Sequence, residues 1–210
     1  MSEDVVGSVR VALTFDAEHA DRPGASAGTV DRILATLRAA KAPASFFVQG
    51  RWSEAEPATV RRIVDDGHQV GNHSHYHARM TLLSDDGIRA DVEAADAAVS
   101  QASRLPTSPW FRCPFGDGHD DARVIEILGA LGYRNVHWHV VVEDWEPWRT
   151  AQDITREAID GAMRHGDGAV VLLHAWPDRT ADALPAIVDG LRARGADLVR
   201  VDALPEDLLP

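Results

Sequence analysis

Short apolar runs alternate with segments of helical periodicity along the chain, and this alternation limits the fold more than any other feature. The β-branched run at 9–15 is typical of a buried strand, and the run at 169–173 is the most continuous signal of this kind. Between such runs, as in 28–40 and 85–102, apolar residues recur at the spacing of a helix buried on one face. The alternation predicts six or seven strands in parallel β-α units, with helices covering the sheet. It does not by itself separate a barrel from an open sheet.

Polar side chains follow the predicted strands at their carboxyl ends, where functional residues of parallel α/β folds gather. Asp16 and Glu18 come after the first strand. Arg112, Asp144 and His174 follow later strands in the same way. We therefore expect one composite site at this end of the sheet.

Three histidines stand at alternate positions in the stretch Gly-Asn-His-Ser-His-Tyr-His at 71–77. Neutral imidazole is the commonest protein ligand for zinc. His73 and His77 would face the same way on one helical turn, and all three rings would share a face of an extended segment. Two imidazoles and one carboxylate leave positions on zinc for water and substrate. Of Asp16 and Glu18, one would complete such a site and the other would take a proton.

Five ordered motifs between Val11 and Trp176 resemble those of the polysaccharide deacetylases of the NodB homology type, carbohydrate esterase family 4. They are T-F-D at 14–16, H-S-H-Y-H at 73–77, R-C-P-F-G at 112–116, W-H-V-V-V-E-D-W at 138–145 and L-L-H at 172–174. The resemblance covers most of the chain. It implies a single domain over 1–210, built as an irregular (β/α) barrel commonly of seven strands. It also implies a divalent metal, zinc first, with cobalt, nickel or manganese as alternatives.

The resemblance further implies a role for each matching residue. The expected catalytic residues are Asp16, His174, Arg112, Asp144 and Phe115, and the expected metal ligands are His73, His77 and Glu18. In this scheme Asp16, braced by Arg112, removes a proton from the attacking water. His174, oriented by Asp144, protonates the leaving amine, and the backbone N–H of Phe115 helps to hold the oxyanion. The implied substrate is an N-acetylated, or alternatively O-acetylated, carbohydrate.

Three positions depart from the family pattern. Ala17 stands where the family commonly has its metal-binding Asp, and Glu18 is the nearest substitute. Val141 replaces an Asp of the fourth motif and removes a carboxylate near the expected cleft. Ala175 stands where an Asp often follows the catalytic histidine. We expect Glu18 to complete the metal site; if it cannot reach, the ion would be weakly bound or lost.

Tryptophans cluster around the motifs, and their faces suit sugar rings. Trp110, Trp148 and Trp176 are candidate substrate-binding residues, with core packing as the alternative. For Trp145 we expect core packing.

Two other functions compete with the deacetylase interpretation. An amidohydrolase-like metallohydrolase acting on a small amide would use His73 and His75 as its H-x-H ligands. A non-catalytic, carbohydrate-binding relative would have kept the fold and lost the metal with Ala17.

Composition and charge exclude some partners and leave others open. The 210 residues carry a net charge of -12 with no basic cluster, which disfavours nucleic-acid binding. No apolar run approaches the length of a membrane span. The acidic start leads directly into a strand, unlike a secretory signal, so we expect a cytoplasmic protein, or a secreted one whose leader has been removed. Oligomeric state is not predicted.

Overall fold

The computed structural model describes residues 8–18 and 28–210, in which strands and helices alternate as expected. The strands are β1 (Val9–Ala17), β2 (Ser45–Val48), β3 (Gln69–Asn72), β4 (Trp110–Phe111), β5 (Arg134–Asn135), β6 (Val140–Val141), β7 (Ala169–His174) and β8 (Ala196–Val199). The α-helices are α1 (Thr29–Ala40), α2 (Gly50–Ala55), α3 (Pro57–Asp65), α4 (Asp85–Ser103), α5 (Ala122–Ala130), α6 (Ala151–His165) and α7 (Asp178–Ala193).

All strand pairs in the sheet are parallel, as the alternation predicts. Seven strands follow one path in the order β5-β4-β3-β2-β1-β7-β6, and the sheet curls into an incomplete barrel. The short β8 pairs with Val9–Ala12, the first part of β1, whereas β2 pairs with Thr14–Ala17. The expected irregular (β/α) barrel is confirmed.

Strand β1 lies at the centre of the sheet and presents two different faces. Phe15 and Ala17 are fully buried in the main hydrophobic core with side chains from α1, α6 and α7. Successive side chains of a strand point to opposite faces, so Thr14 and Asp16 face the other side, the barrel interior. The alternation along β1 therefore places Asp16 inside the barrel and Ala17 in the core.

Two segments depart from the simplest strand and helix pattern in the structure. The mostly apolar segment 133–142, which the sequence favours as one strand, forms β5 and β6, because Arg112 donates hydrogen bonds to the carbonyl oxygens of Val136 and His137 between them. The sequence favours one helix over 55–66, and α3 confirms it. The short α2 precedes it and ends at Ala55, since Pro57 at the start of α3 lacks the N–H that would continue the preceding helix. Ser84 stands directly before the helical pattern at 85–102, a position typical of an N-cap, and its side chain does accept a hydrogen bond from Gly87 N at the start of α4.

None of the helices described in 28–210 combines the length and the hydropathy needed to cross a membrane.

His68, directly before β3, is a buried histidine beside the ring of Phe46. Neither ring nitrogen has a hydrogen-bond partner among residues 8–18 and 28–210. Burial lowers the pKa of His68 below its ordinary value of 6.5, although the charge of Asp66 opposes the shift. As the pH falls through 6.5, His68 therefore binds a proton more readily in the unfolded chain than in the folded one. The free energy of unfolding decreases accordingly.

We expect His68→Leu to raise the free energy of unfolding at neutral pH by about 1 kcal/mol, because an unpaired buried polar group is costly. The variant should also lose less stability than the wild type between pH 7 and pH 5. Urea denaturation of both proteins at the two pH values measures this. A variant that is less stable at neutral pH and keeps the wild-type pH dependence would contradict the conclusion that the buried ring of His68 destabilises the fold.

Candidate active site

The carboxyl ends of β1 and β7 bring the two candidate proton-transfer residues together. Asp16 and His174 are direct partners in the parallel register of these strands. The backbone N–H of Ala175 also donates to the carbonyl oxygen of Asp16 at 3.0 Å. The site therefore begins with a backbone pairing rather than with a side-chain contact.

Arg112 lies fully buried against Asp16. Its Nη1 donates to Asp16 Oδ1 at 2.9 Å and to Thr14 Oγ1 at 2.9 Å. Its Nε and Nη2 donate to the carbonyl oxygens of Val136 and His137, both at 3.0 Å. Burial lowers the pKa of Arg112, and the charge of Asp16 opposes this shift. The guanidinium thus occupies one oxygen of Asp16 and leaves the other directed toward His73.

The histidine loop after β3 is neither a helical turn nor an extended segment, unlike both geometries considered from the sequence. Ser74 and His77 adopt left-handed backbone angles, with φ of 65° and 56°. Asn72 Oδ1 accepts from Ser74 N at 2.9 Å. The buried carboxylate of Asp91 on α4 accepts from the backbone N–H groups of His75 and Tyr76, both at 3.0 Å. The two reversals turn His73 and His77 toward the barrel interior.

Glu18, His73 and His77 form a group whose ligand atoms all lie within 4.8 Å of one another. Glu18 Oε2 lies 2.7 Å from His77 Nε2. His73 Nδ1 is 2.9 Å from the carbonyl oxygen of Arg112, so this nitrogen has a hydrogen-bond partner. His73 Nε2 is buried, faces the group and has no hydrogen-bond partner among the described residues. These donors fit a divalent ion, and two imidazoles with a carboxylate are a usual zinc set.

The protonation states of this group also suit a cation. Burial lowers the pKa of His73 to about 4, although Asp16 opposes the shift, so the imidazole is neutral at pH 7. Burial raises the pKa of Glu18, but the bond with His77 and the charge of His174 outweigh it and hold the pKa well below the ordinary value. Neutral imidazole and ionised carboxylate are the forms that bind metals.

His174 is held by a carboxylate on the side away from the cleft. Its Nδ1 lies 2.7 Å from Asp144 Oδ1, and its backbone N–H donates to Asp144 Oδ2 at 2.7 Å. The hydroxyl of Thr180 on α7 donates to the same Oδ2 at 2.6 Å. Burial lowers the pKa of His174, but Asp144 outweighs it and raises the pKa to about 9. His174 Nε2 is left facing the site, 3.6 Å from Glu18 Oε1.

A cleft of about 330 Å³ opens onto these groups. Its walls combine the polar site residues with apolar and aromatic side chains. They are Asp16, Glu18, His77, Phe115, Trp138, Trp145, Leu172, His174 and Trp176.

Phe115 lies at the rim of the cleft in a left-handed conformation, with φ of 60°. Its half-exposed ring packs edge-on against His77, with 4.4 Å between ring centroids. The guanidinium of Arg79 lies over the same ring, 4.5 Å from its centroid. Phe115 therefore contacts a candidate metal ligand directly.

Of the three tryptophans expected to bind substrate, only Trp176 lines the cleft. The ring of Trp110 instead packs against a second cluster of buried side chains that includes Phe47 and Val201. Trp148 is 70% exposed and does not line the cleft. The expectation of core packing for Trp145 is wrong, because its ring lies at the cleft, 5.1 Å from the centroid of His174.

Several residues of the site were not predicted from the sequence. Trp138 and Leu172 line the cleft, and both lie inside the fourth and fifth motifs, which is the signal that could have found them. Asp91 and Thr180 lie on helices far along the chain from the residues they bind. No local pattern marks these two, because their role depends on how the helices pack.

His75 faces away from the metal group. It lines a groove between α2, α3 and α4, and its Nε2 is 4.0 Å from Glu54 Oε1. The ligand group contains His77 instead. The H-x-H pairing of His73 with His75, which the amidohydrolase-like alternative requires, is therefore contradicted.

Comparisons with known proteins agree with this arrangement. Residues 5–136 match the family model described as polysaccharide deacetylase. The peptidoglycan-N-acetylglucosamine deacetylase of Listeria monocytogenes is 32% identical over 196 residues, which cover 93% of this chain and 38% of that protein. A chitooligosaccharide deacetylase of Sinorhizobium fredii is 28% identical over 202 residues, which cover 90% of this chain and 88% of that protein. This chain thus spans well under half of the Listeria relative and most of the Sinorhizobium one.

The fold also occurs in a relative without activity. The crystal structure of a CE4 family pseudoenzyme from Bacillus anthracis superposes with a TM-score of 0.82 at 26% identity, over 94% of this chain and 66% of that one. The fold by itself therefore does not establish activity.

A glycine on α2 allows the histidine loop to approach the helix. A Cβ at Gly50 would lie 2.3 Å from His75 Nδ1 and 3.0 Å from the Cα of Ala95. Gly50 N also donates to the carbonyl oxygen of Ser74 at 3.0 Å.

We expect Gly50→Ala to displace the loop, lower the melting temperature and weaken zinc binding, as measured by thermal unfolding and metal titration. Gly129→Ala on α5, where a Cβ meets nothing within 4 Å, should be neutral or stabilising. Equal behaviour of the two variants would contradict this packing argument.

Proposed function

Because the chain belongs to the polysaccharide deacetylase family, we propose that it is a metal-dependent hydrolase that removes acetyl groups from acetylated sugars. The observation that carries this proposal is the buried Glu18–His73–His77 group, with Asp16 and His174 beside it in one cleft. A relative that had lost its metal with Ala17 would not need to keep an ionised carboxylate facing two histidines. Position 17 faces the core, so Glu18 is the residue that reaches this side of the barrel.

Glu18, His73 and His77 would hold the divalent ion, with zinc as the first choice for this donor set. When bound, such an ion polarises a carbonyl oxygen and lowers the pKa of water toward neutrality.

Asp16 would act as the general base. Arg112 holds its Oδ1, and its Oδ2 points toward the ligand group, 3.5 Å from His73 Nε2. That oxygen is placed to take the proton of a water that attacks the acetyl carbonyl carbon. A general base must lie within hydrogen-bond reach of the proton that it takes, and the rigid contact with Arg112 keeps it there.

His174 would act as the general acid. Asp144 fixes the ring through Nδ1 and favours its protonated form, which leaves the Nε2–H directed into the cleft. The proton would pass from Nε2 to the leaving amine nitrogen as the carbon–nitrogen bond breaks. The backbone N–H of Phe115, at the rim beside His77, would help to hold the oxyanion, and donors of this kind contribute about 3 kcal/mol.

Acetylated carbohydrate is the substrate class that the cleft favours. Trp138, Trp145 and Trp176 supply aromatic walls suited to a sugar ring. By their names, the relatives act on peptidoglycan N-acetylglucosamine and on chitooligosaccharides, and we propose N-acetylglucosamine-containing glycans as the first substrates to test. Trp148 is exposed enough to contact an outer sugar, and Trp110 takes no substrate role here.

The decisive experiment measures acetate release from chitooligosaccharides and peptidoglycan fragments by metal-stripped protein, with and without added zinc, cobalt, nickel or manganese. Release that depends on added metal supports the proposal. If the protein binds the glycans tightly but neither binds metal nor releases acetate, the non-catalytic carbohydrate-binding alternative is correct.

Asp16→Asn should lower kcat by about 100-fold to 10,000-fold, because a general base contributes this much. Metal content, measured by elemental analysis, should stay at the wild-type level, since Asp16 is not one of the expected ligands. Thermal unfolding of the variant checks that the buried Arg112 still permits folding. Asp120→Asn, an exposed surface change, is the matched control and should keep full activity. Undiminished turnover by Asp16→Asn would exclude Asp16 as the base.

His75 and His77 should behave differently in a metal titration. His77→Ala should lose zinc binding, because His77 Nε2 is one of the three grouped donor atoms. His75→Ala should keep zinc binding, because its ring faces the groove behind the loop. The opposite result would restore the H-x-H alternative.

A further inference from the structure

Glu18 needs more support than an aspartate at the preceding position would need. Its side chain has one more rotatable bond, so a carboxylate fixed on an ion loses more conformational freedom. The residue also lies just past the end of β1, where the sheet no longer constrains the backbone. Some neighbouring group must therefore hold the carboxylate if Glu18 is to act as a preformed ligand.

Trp176 provides such a contact. Its side chain is 8% exposed, and its indole Nε1 donates to Glu18 Oε1 at 3.2 Å. The other carboxylate oxygen, Oε2, lies 2.7 Å from His77 Nε2. The two oxygens thus have different neighbours: Oε1 accepts from the indole and lies 3.6 Å from His174 Nε2, and Oε2 faces the candidate ligand His77.

The backbone holds Trp176 in register with the strand that leads to Glu18. His174 pairs with Asp16 in the sheet, and Ala175 N donates to the carbonyl oxygen of Asp16. Trp176 and Glu18 each lie two residues beyond this paired position. Their side chains therefore meet because the two strands end side by side.

The chemistry of indole suits this role. The indole N–H is a donor only and carries no lone pair available to a metal. It can therefore hold a carboxylate without competing with that carboxylate for the ion. Groups that hydrogen-bond to metal ligands in this way fix the orientation of the ligand and tune the affinity of the site.

We propose that Trp176 is a positioning residue for the metal site, whose indole N–H orients Glu18 so that the glutamate replaces the aspartate missing at position 17. This inference rests on the proposed function in that it requires a metal at Glu18, His73 and His77. Trp176 would act through Glu18. This role is additional to the sugar contact that the sequence predicts for Trp176.

The test is zinc affinity of the metal-stripped full chain, measured by competition with a chromophoric chelator. Trp176→Phe keeps a large aromatic ring and removes the N–H, and it should weaken zinc binding by about 10-fold to 100-fold. The visible absorption spectrum of the cobalt-loaded variant should also change, because one ligand is no longer oriented. The melting temperature of the metal-free variant should match the wild type, which a purely structural role would not predict.

Trp145→Phe is the matched control. Trp145 also lines the cleft, but its indole donates to Glu146 Oε1 at 3.0 Å, outside the ligand group. Its zinc affinity should equal that of the wild type. In a background of Glu18→Ala, Trp176→Phe should cause no further loss, since the tryptophan acts through that carboxylate.

Each outcome decides the proposal. Wild-type zinc affinity in Trp176→Phe, equal losses in the two tryptophan variants, or a full additional loss in the Glu18→Ala background would each overturn the positioning role and leave the proposed function intact. A wild-type protein that binds none of zinc, cobalt, nickel and manganese would overturn both.

Discussion

The contact between Arg112 and Asp16 is the interaction on which the rest of the site depends. Arg112 is a fully buried cation, and its four hydrogen bonds end on Asp16, Thr14 and the carbonyl oxygens of Val136 and His137. Leaving a buried charge without its partner destabilises a fold by about 3–5 kcal/mol. The folded chain therefore keeps the guanidinium in contact with these oxygens. One side chain, directly after β4, therefore fixes the end of β1, separates β5 from β6 and orients the candidate base.

The two carboxylates at the end of β1 receive opposite tasks from their surroundings. Asp16 has one oxygen on a permanently charged guanidinium and stays outside the ligand group. Glu18 is surrounded by histidines, and its oxygens are distributed between Trp176 and His77. Similar groups two residues apart can thus serve as base and as ligand, because position 16 faces Arg112 and position 18 faces the histidine loop.

Much of this arrangement could be predicted from the sequence. The alternation of strands and helices indicated parallel β-α units, and the positions of Asp16, His73, Arg112, Asp144 and His174 after the strands indicated one site. The structure brings these residues together as expected. The substitution of Glu18 for the missing aspartate was predicted from chain proximity, and its place beside His73 and His77 agrees with that. The tryptophans were predicted less well: Trp110 packs in a buried cluster, while Trp145 lines the cleft.

The sequence by itself determined which residues lie at the carboxyl ends of the strands, because strand period and motif order are properties of neighbouring residues. Only the tertiary structure decided which side each of them faces. Ser74 and His77 reverse the backbone, so His77 turns inward while His75 turns toward α2 and α4. Asp91, Thr180 and Trp176 gained their contacts when distant segments packed together. Such contacts depend on the relative positions of elements that are far apart in the chain, and no local pattern of residues encodes them.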